Sequence, residues 1–266
     1  MSNLTLDGLE QQLKDRFFET KRKGKRYNPK VNFVRYADDF IITGNTKELL
    51  ENEVKPVVEQ FLRDRGLQLS AEKTCITQIT QGFDFLGQNL RKFSGKMLTQ
   101  PSRKNTHAFL EKVRQIIHCS GDMSQSDFIR QLNPVIRGWA NYHRFSSATR
   151  TFKKAEWAMW QCLWQWAKRR HANKGARWTF RRYWHRLGTR LVFAANTGKQ
   201  TSSGQPLWLK LVYPTQTSIR RFVKIRMDAN PFAPDWRDYF EDRAFFKQFG
   251  IHRSEAGLQP SSPPAP

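Results

Sequence analysis

Asp38 and Asp39 stand side by side in the run Val31–Gly44, VNFVRYADDFIITG, whose other residues are mainly apolar, β-branched or aromatic. Adjacent carboxylates are hard oxygen donors of the kind Mg²⁺ takes, and the ion keeps its remaining positions for water and phosphate oxygens. Two such ions about 4 Å apart serve phosphoryl transfer, one activating the attacking oxygen and the other the leaving oxygen. The alternative is an ordinary surface turn, where Asp is common. Phe33, Val34, Phe40, Ile41 and Ile42 favour the first reading, because they predict a hairpin buried deep in a sheet. Carboxylates held there as unpartnered ions would be costly, so Asp38 and Asp39 are expected to face a cation.

The elements that hold this pair follow from the residue pattern. The run itself reads as strand, tight turn, strand. Leu6, Leu9, Leu13 and Phe17 form a helical stripe over residues 4–19. KRKGKRYNPK reads as a basic loop leading into Val31. Asn45-Thr46 caps a helix that closes at Gly66. LQLSAEKTCITQI and GFDFLGQNLRK then predict short strands, so the first hundred residues form an α+β arrangement.

After Pro101 the pattern turns helical. Phe109, Val113, Ile116 and Ile117 share one face. Asn133 as cap with Pro134 as first helical residue opens the next helix. On it Val135, Trp139 and Tyr142 fall together, and Arg137, Asn141 and Arg144 share another face. A third helix over 152–171 places Trp157, Trp160 and Trp164 at i, i+3 and i+7, a spacing that assigns them to a core. NTGKQTSSGQP reads as a polar loop and boundary, a basic-aromatic segment follows to Gly250, and residues 251–266 have the composition of a disordered tail.

The 266 residues carry a net charge of +23. Residues 1–100 hold 17 Lys/Arg against 13 Asp/Glu, and the rest hold 29 against 10, so the excess lies in the second part. All nine tryptophans also follow Pro101. Such a surplus favours a polyanionic partner. Nucleic acid is preferred to a membrane, because no apolar run approaches the ~20 residues of a spanning helix. The N-terminal residues are too polar for a signal peptide. Cys75, Cys119 and Cys162 form no paired motif and read as plain buried thiols.

Several blocks taken in order resemble one family. Tyr36-Ala37-Asp38-Asp39 is similar to the palm hairpin of reverse transcriptases, in the variant carried by group II intron-encoded proteins. GLQLSAEKT resembles the next palm block, GFDFLGQNLRK the segment leading from palm to thumb, and LNPVIRGWANYHRF the core of the maturase-specific domain. SIRRFVKIRMDANPFAPDWRDYF resembles the basic region that follows.

The resemblance implies a partial palm over 1–99, thumb and maturase domain over 100–195, a basic extension over 196–250 and a tail over 251–266. The fold class implied is α+β, a hairpin-containing sheet with helices followed by a mostly helical domain. Asp38 and Asp39 become metal ligands, and Tyr36 and Ala37 shape the floor under the primer end. Lys73 reads either as a lysine near the leaving pyrophosphate or as an ordinary surface lysine.

Intron RNA is the implied partner, with target DNA as a further one. Its expected contacts are Arg137, Asn141, Arg144, Lys168, Arg169, Arg170, Arg181, Arg182, Arg220, Arg221 and Lys224. His143 reads either as an RNA contact or as a structural histidine. A mobile element's maturase, acting in the cytoplasm at the nucleoid or in an organelle, is the implied setting.

Thirty-five residues precede Tyr36. The family's fingers, its first palm strand with a further metal-binding aspartate, and its Pro-Gln-Gly block have no counterpart among them. Asp7 and Asp15 lie on the predicted helix instead. The expectation is a truncated form that binds intron RNA and assists splicing, with little polymerase activity alone. Mg²⁺ is expected only where another fragment completes the palm. The alternatives are one half of a split polymerase and an inactive remnant. No paired cysteines and histidines follow Gly250, so DNA cutting is not expected.

Overall fold

In the computed structural model, residues 5–22, 25–220, 225–226, 229–249 and 255–257 are described. The chain forms two compact units, residues 1–81 and 82–266. The division precedes the boundary expected at residue 100, because Phe83–Pro101 forms a meander that belongs with the helices after it.

In the first unit, helix α1 spans Leu9–Arg16, shorter than the predicted stripe, and buries Leu9 and Leu13. The expected basic loop instead contains strands β1 (Thr20–Arg22) and β2 (Lys25–Tyr27), paired antiparallel. β3 (Asn32–Tyr36) and β4 (Asp39–Thr43) form the predicted hairpin. α2 runs in three parts: α-helical over Lys47–Leu49, π over Leu50–Val54, and α-helical again over Lys55–Arg63. Thr46 caps it by accepting from Leu49 N–H at 3.2 Å. The wide π turn falls just before Pro56, whose ring would clash with the carbonyl four residues back in a regular helix.

The core of this unit is Leu6, Leu9, Leu13, Leu49, Val54, Val57, Val58, Phe61 and Leu62, with Phe33, Phe40 and Ile42 packed at its edge. Residues 67–78 form no strand, contrary to the sequence pattern. They make local turns, such as Thr74 N–H to Ser70 C=O at 3.0 Å. Without a partner strand a β ladder has nowhere to place its backbone bonds.

The second unit begins with the meander β5 (Phe83–Phe85), β6 (Gln88–Phe93) and β7 (Lys96–Pro101). α3 (Arg103–Cys119) is capped by Ser102 and buries Phe109, Val113 and Ile117. α4 spans Gln125–His143 with Ser124 as its cap, so Asn133-Pro134 lies inside a helix rather than starting one. Asn133 is held by tertiary bonds: its Nδ2 donates to Lys210 C=O at 3.0 Å and its Oδ1 accepts from Val212 N–H at 2.8 Å.

α5 (Thr149–Arg170) and α6 (Ala176–Tyr183) follow, and then a sheet the sequence pattern did not predict. It comprises β8 (Trp184–Leu187), β9 (Arg190–Gln200) and β10 (Pro206–Lys210), in the order β10-β9-β8. The supposed boundary at 196–206 is therefore a hairpin of this sheet, and the second unit is α+β rather than mostly helical. Its core joins Phe109, Phe128, Leu132, Met159, Leu163 and Phe193 with many further apolar residues. α7 (Arg237–Phe249) is the last helix among the described residues.

Candidate functional site

The hairpin presents its acids at the tip. Tyr36 pairs with Asp39 across the ladder, leaving Ala37-Asp38 as a two-residue turn. Ala37 adopts a left-handed φ of 54°, as such tight hairpins require, and a β-carbon there costs on the order of 1 kcal/mol. The hairpin is not deep in a sheet. It is two-stranded, packs Phe33 and Phe40 inward, and leaves Val34 and Tyr36 exposed.

Asp38 and Asp39 are both exposed, so the expected burial cost does not arise. Among the described residues neither carboxylate has an ion-pair or hydrogen-bond partner. The nearby cation Arg35 is taken by Asp7, at 3.0 Å. Lys73 is exposed in a local turn and is not bonded to either aspartate.

Two unshielded carboxylates fit Mg²⁺ as a partial donor set, since the ion is commonly held by one or two carboxylates with water and phosphate. No group of three or more His, Cys, Asp or Glu suited to a metal occurs among the described residues. Cys75 and Cys119 are exposed and Cys162 is half-buried, so the buried-thiol expectation fails for the first two. Cys119 falls outside the Phe109-Val113-Ile117 stripe, and Cys75 lies in the irregular segment.

In the second unit the helix bearing RGWANYH divides into an outward and an inward face. Arg137 and Asn141 are exposed. Arg144 ends the helix half-buried, and its carbonyl accepts from Arg220 N–H at 2.9 Å, which brings two predicted arginines together.

Inward, His143 is fully buried. Its Nε2 lies 2.7 Å from Asn105 Oδ1 and its Nδ1 2.9 Å from Gln88 Nε2. An acceptor on one side and a donor on the other assign the proton to Nε2. Trp139 Nε1–H donates to the same Asn105 oxygen at 2.9 Å. Burial lowers the pKa of His143 to about 4, so it is neutral near pH 7. This knot ties α3, α4 and β6 together, and His143 is structural. Beside it an open groove of about 540 Å³ runs between α3 and α4, lined by Phe109, Lys112, Val135, Gly138 and Trp139.

The remaining predicted contacts differ in availability. Lys168, Arg169, Arg181 and Arg182 are exposed. Arg170 is committed, donating to Gly121 C=O at 2.9 Å and Met123 C=O at 2.7 Å, and it braces the loop before α4. Arg220 is exposed, whereas Arg221 and Lys224 lie outside the described residues.

The sequence reading was wrong about Trp157 and Trp160 and right about Trp164, which is half-buried against the core. Trp157 is 63% exposed and Trp160 38%, while the buried stripe of α5 is Phe152, Ala155, Met159, Leu163, Trp166 and Ala167. The signal missed was this second stripe, which mixes small, aliphatic and aromatic residues and leaves Trp157 and Trp160 outside it.

Two family models match. Residues 1–90 match reverse transcriptase (RNA-dependent DNA polymerase), and residues 106–184 match the maturase-specific domain of group II introns. In two regions the chain is thus similar to group II intron reverse transcriptase/maturases. Among relatives, Maturase-like protein 1 of Euglena gracilis is 30% identical over 122 residues, 44% of this chain and 25% of that protein. Protein YkfC of Escherichia coli (strain K12) is 30% identical over 155 residues, 46% of this chain and 40% of that protein. Group II intron-encoded protein LtrA of Lactococcus lactis subsp. cremoris is 31% identical over 120 residues, 41% of this chain and 20% of that protein. The matches thus span between 20% and 40% of these relatives' lengths. The Asp pair falls in the first match, and the Trp-bearing helix with Trp139 and His143 of the polar knot falls in the second. No helix among the described residues is long and apolar enough to cross a membrane.

Proposed function

We propose that this chain binds structured group II intron RNA and assists its splicing, and that the second unit carries the binding. The supporting observation is the set of exposed cations within the maturase-specific match: Arg137 on α4, Lys168 and Arg169 on α5, and Arg181 and Arg182 on α6. They stand on helices fixed by a shared core, so binding RNA costs little ordering of the backbone. Cations at phosphates gain affinity by releasing counterions. Maturation is then binding work, in which the protein stabilises a folded RNA and the RNA does the chemistry.

In this reading residues 1–99 form a partial palm, 100–195 the thumb and maturase domain, and 196–250 a basic extension that is a candidate contact for target DNA. The match over 1–90 favours a second activity, RNA-templated DNA synthesis. Asp38 and Asp39 would hold Mg²⁺ there once an N-terminal reverse-transcriptase fragment supplies the remaining carboxylate. When bound, the metal neutralises charge on the reacting phosphates.

Binding of a folded group II intron transcript, measured as salt rises from about 50 to 200 mM, tests the first reading. Contact with about six phosphates predicts a loss of roughly a thousandfold in affinity. Failure to bind the folded transcript even at low salt overturns it. Primer extension on an RNA template tests the second. The chain alone is expected to give no Mg²⁺-dependent product.

A further inference from the structure

Of the rings along the outer side of α5, Trp157 and Trp160 are exposed and Trp164 is half-buried against the core. Lys153, Trp157, Trp160, Trp164 and Lys168 follow one another at i, i+4, i+7, i+11 and i+15, which sets them in one line along the helix. Trp160 and Trp164 lie parallel, with centroids 6.0 Å apart and planes 5° off. Trp164 meets the edge of Phe180 at 6.5 Å and packs on Trp184 at 5.7 Å. Trp184 is buried against Phe193, so the outer rings rest on a fixed aromatic floor.

Cations frame the line. Lys168 Nζ stands 5.6 Å from the Trp164 ring, and Lys153 and Lys154 are exposed at the other end. Glu156 is the only acid among residues 149–170, and its carboxylate is engaged by Arg190 at 3.2 Å and by the Thr215 hydroxyl.

A monomer gains nothing in water from exposing Trp157 and Trp160 side by side, and contiguous apolar surface marks a contact. The charge around this row calls for a polyanion. Its one-residue width, with Gln161 and Gln165 beside it, suits flat rings rather than a lipid surface, which needs a broad apolar face.

We infer that Trp157 and Trp160, backed by the half-buried Trp164, are a stacking platform for unpaired RNA nucleotides, with Lys153 and Lys168 receiving the adjoining phosphates. Paired bases already stack on each other and offer no free faces, so the platform takes loops, bulges or single strands. The inference rests on the RNA-binding reading and adds which part of an RNA this helix grips.

The test compares wild type with Trp157→Ala/Trp160→Ala on two probes, a short single-stranded oligoribonucleotide and a fully paired duplex RNA. Both side chains lie largely outside the core, and a thermal melt verifies the fold. Stacking predicts a loss of roughly 10- to 100-fold on the single strand and less than about 2-fold on the duplex. Wild-type indole fluorescence, quenched by the single strand and not by the duplex, tests the same point without any variant. An unchanged single-strand affinity, or equal losses on both probes, overturns the platform and leaves RNA binding standing. Wild type that binds no RNA, folded intron included, overturns both. Tryptophan-dependent binding to anionic phospholipid vesicles, with no effect on the single strand, would reassign the helix to a membrane surface and overturn the platform.

Discussion

The Asp hairpin and the helix α5 both present chemistry to solvent, but they are supported in opposite ways. The hairpin packs one face of two strands inward, and its carboxylates sit at the tip, Asp39 in the last ladder pair and Asp38 on a turn with a left-handed alanine. The groups of α5 stand on a helix whose buried stripe from Ala155 to Ala167 packs into the largest core among the described residues. A recognition surface needs rigid placement and obtains it locally. A metal site needs several donors converging on one point, and among the described residues no group of three or more His, Cys, Asp or Glu does so. Structure within each unit thus supports autonomous RNA binding better than autonomous polymerisation.

The largest expected effect would break the rigid side of this contrast. Phe128 is completely buried and packs on Trp166 at 4.9 Å and edge-on to Phe193 at 6.1 Å. Phe128→Ala should destabilise the second unit by about 3–5 kcal/mol, read by denaturant unfolding. RNA affinity should fall with the folded fraction. Next comes Asn105→Ala, which strands the Trp139 and His143 N–H groups without their acceptor. A cost of about 2–3 kcal/mol is expected by the same measurement. A loss below about 0.5 kcal/mol would mean that the knot does not hold α3 and α4 together.

What the sequence disclosed depended on whether a local signal sufficed. The β3–β4 hairpin, the Thr46 cap and the Phe109-Val113-Ile117 stripe were legible because turn chemistry and period act within a few residues. Asn133-Pro134 looked like a helix start, yet Asn133 is spent on Lys210 and Val212, nearly eighty residues away. β9 was missed because Val192–Ala195 is buried on both faces and shows no alternation. Trp157 and Trp160 were assigned inward by their helical spacing, although Ala155, Met159 and Leu163 already form the buried stripe. At the candidate site, the identity of the Asp pair was readable, but its exposure was not, since that depends on how few strands surround it.

A smaller effect comes from pH. Folded His143 titrates near 4 against an ordinary value of 6.5, because burial disfavours its charged form. Between those values the unfolded chain binds more protons, so this contribution to stability is complete above 6.5 and is lost as pH falls toward 4. Thermal melts of wild type and His143→Gln between pH 7 and 5, above most carboxylate titration, isolate it. Wild type should lose more stability over that window, and parallel curves would place the proton elsewhere.

The smallest expected effect probes the other side of the contrast. Asp38 is exposed and, among the described residues, bonded to nothing, so Asp38→Asn removes no internal interaction. Stability should stay within about 0.5 kcal/mol of wild type. The substitution also removes one negative charge from a chain of +23, so affinity for folded intron RNA should hold within about twofold or rise slightly. A tenfold loss of RNA affinity with stability unchanged would be informative. A neutral amide offers phosphate no less than a carboxylate does, so such a loss requires the missing charge to have been holding a cation that bridges to the RNA. Repeating the titration with Mg²⁺ replaced by monovalent salt then separates the cases, because a bridge vanishes for wild type as well. Only that pair of results would move the hairpin from a partial metal site into the RNA interface.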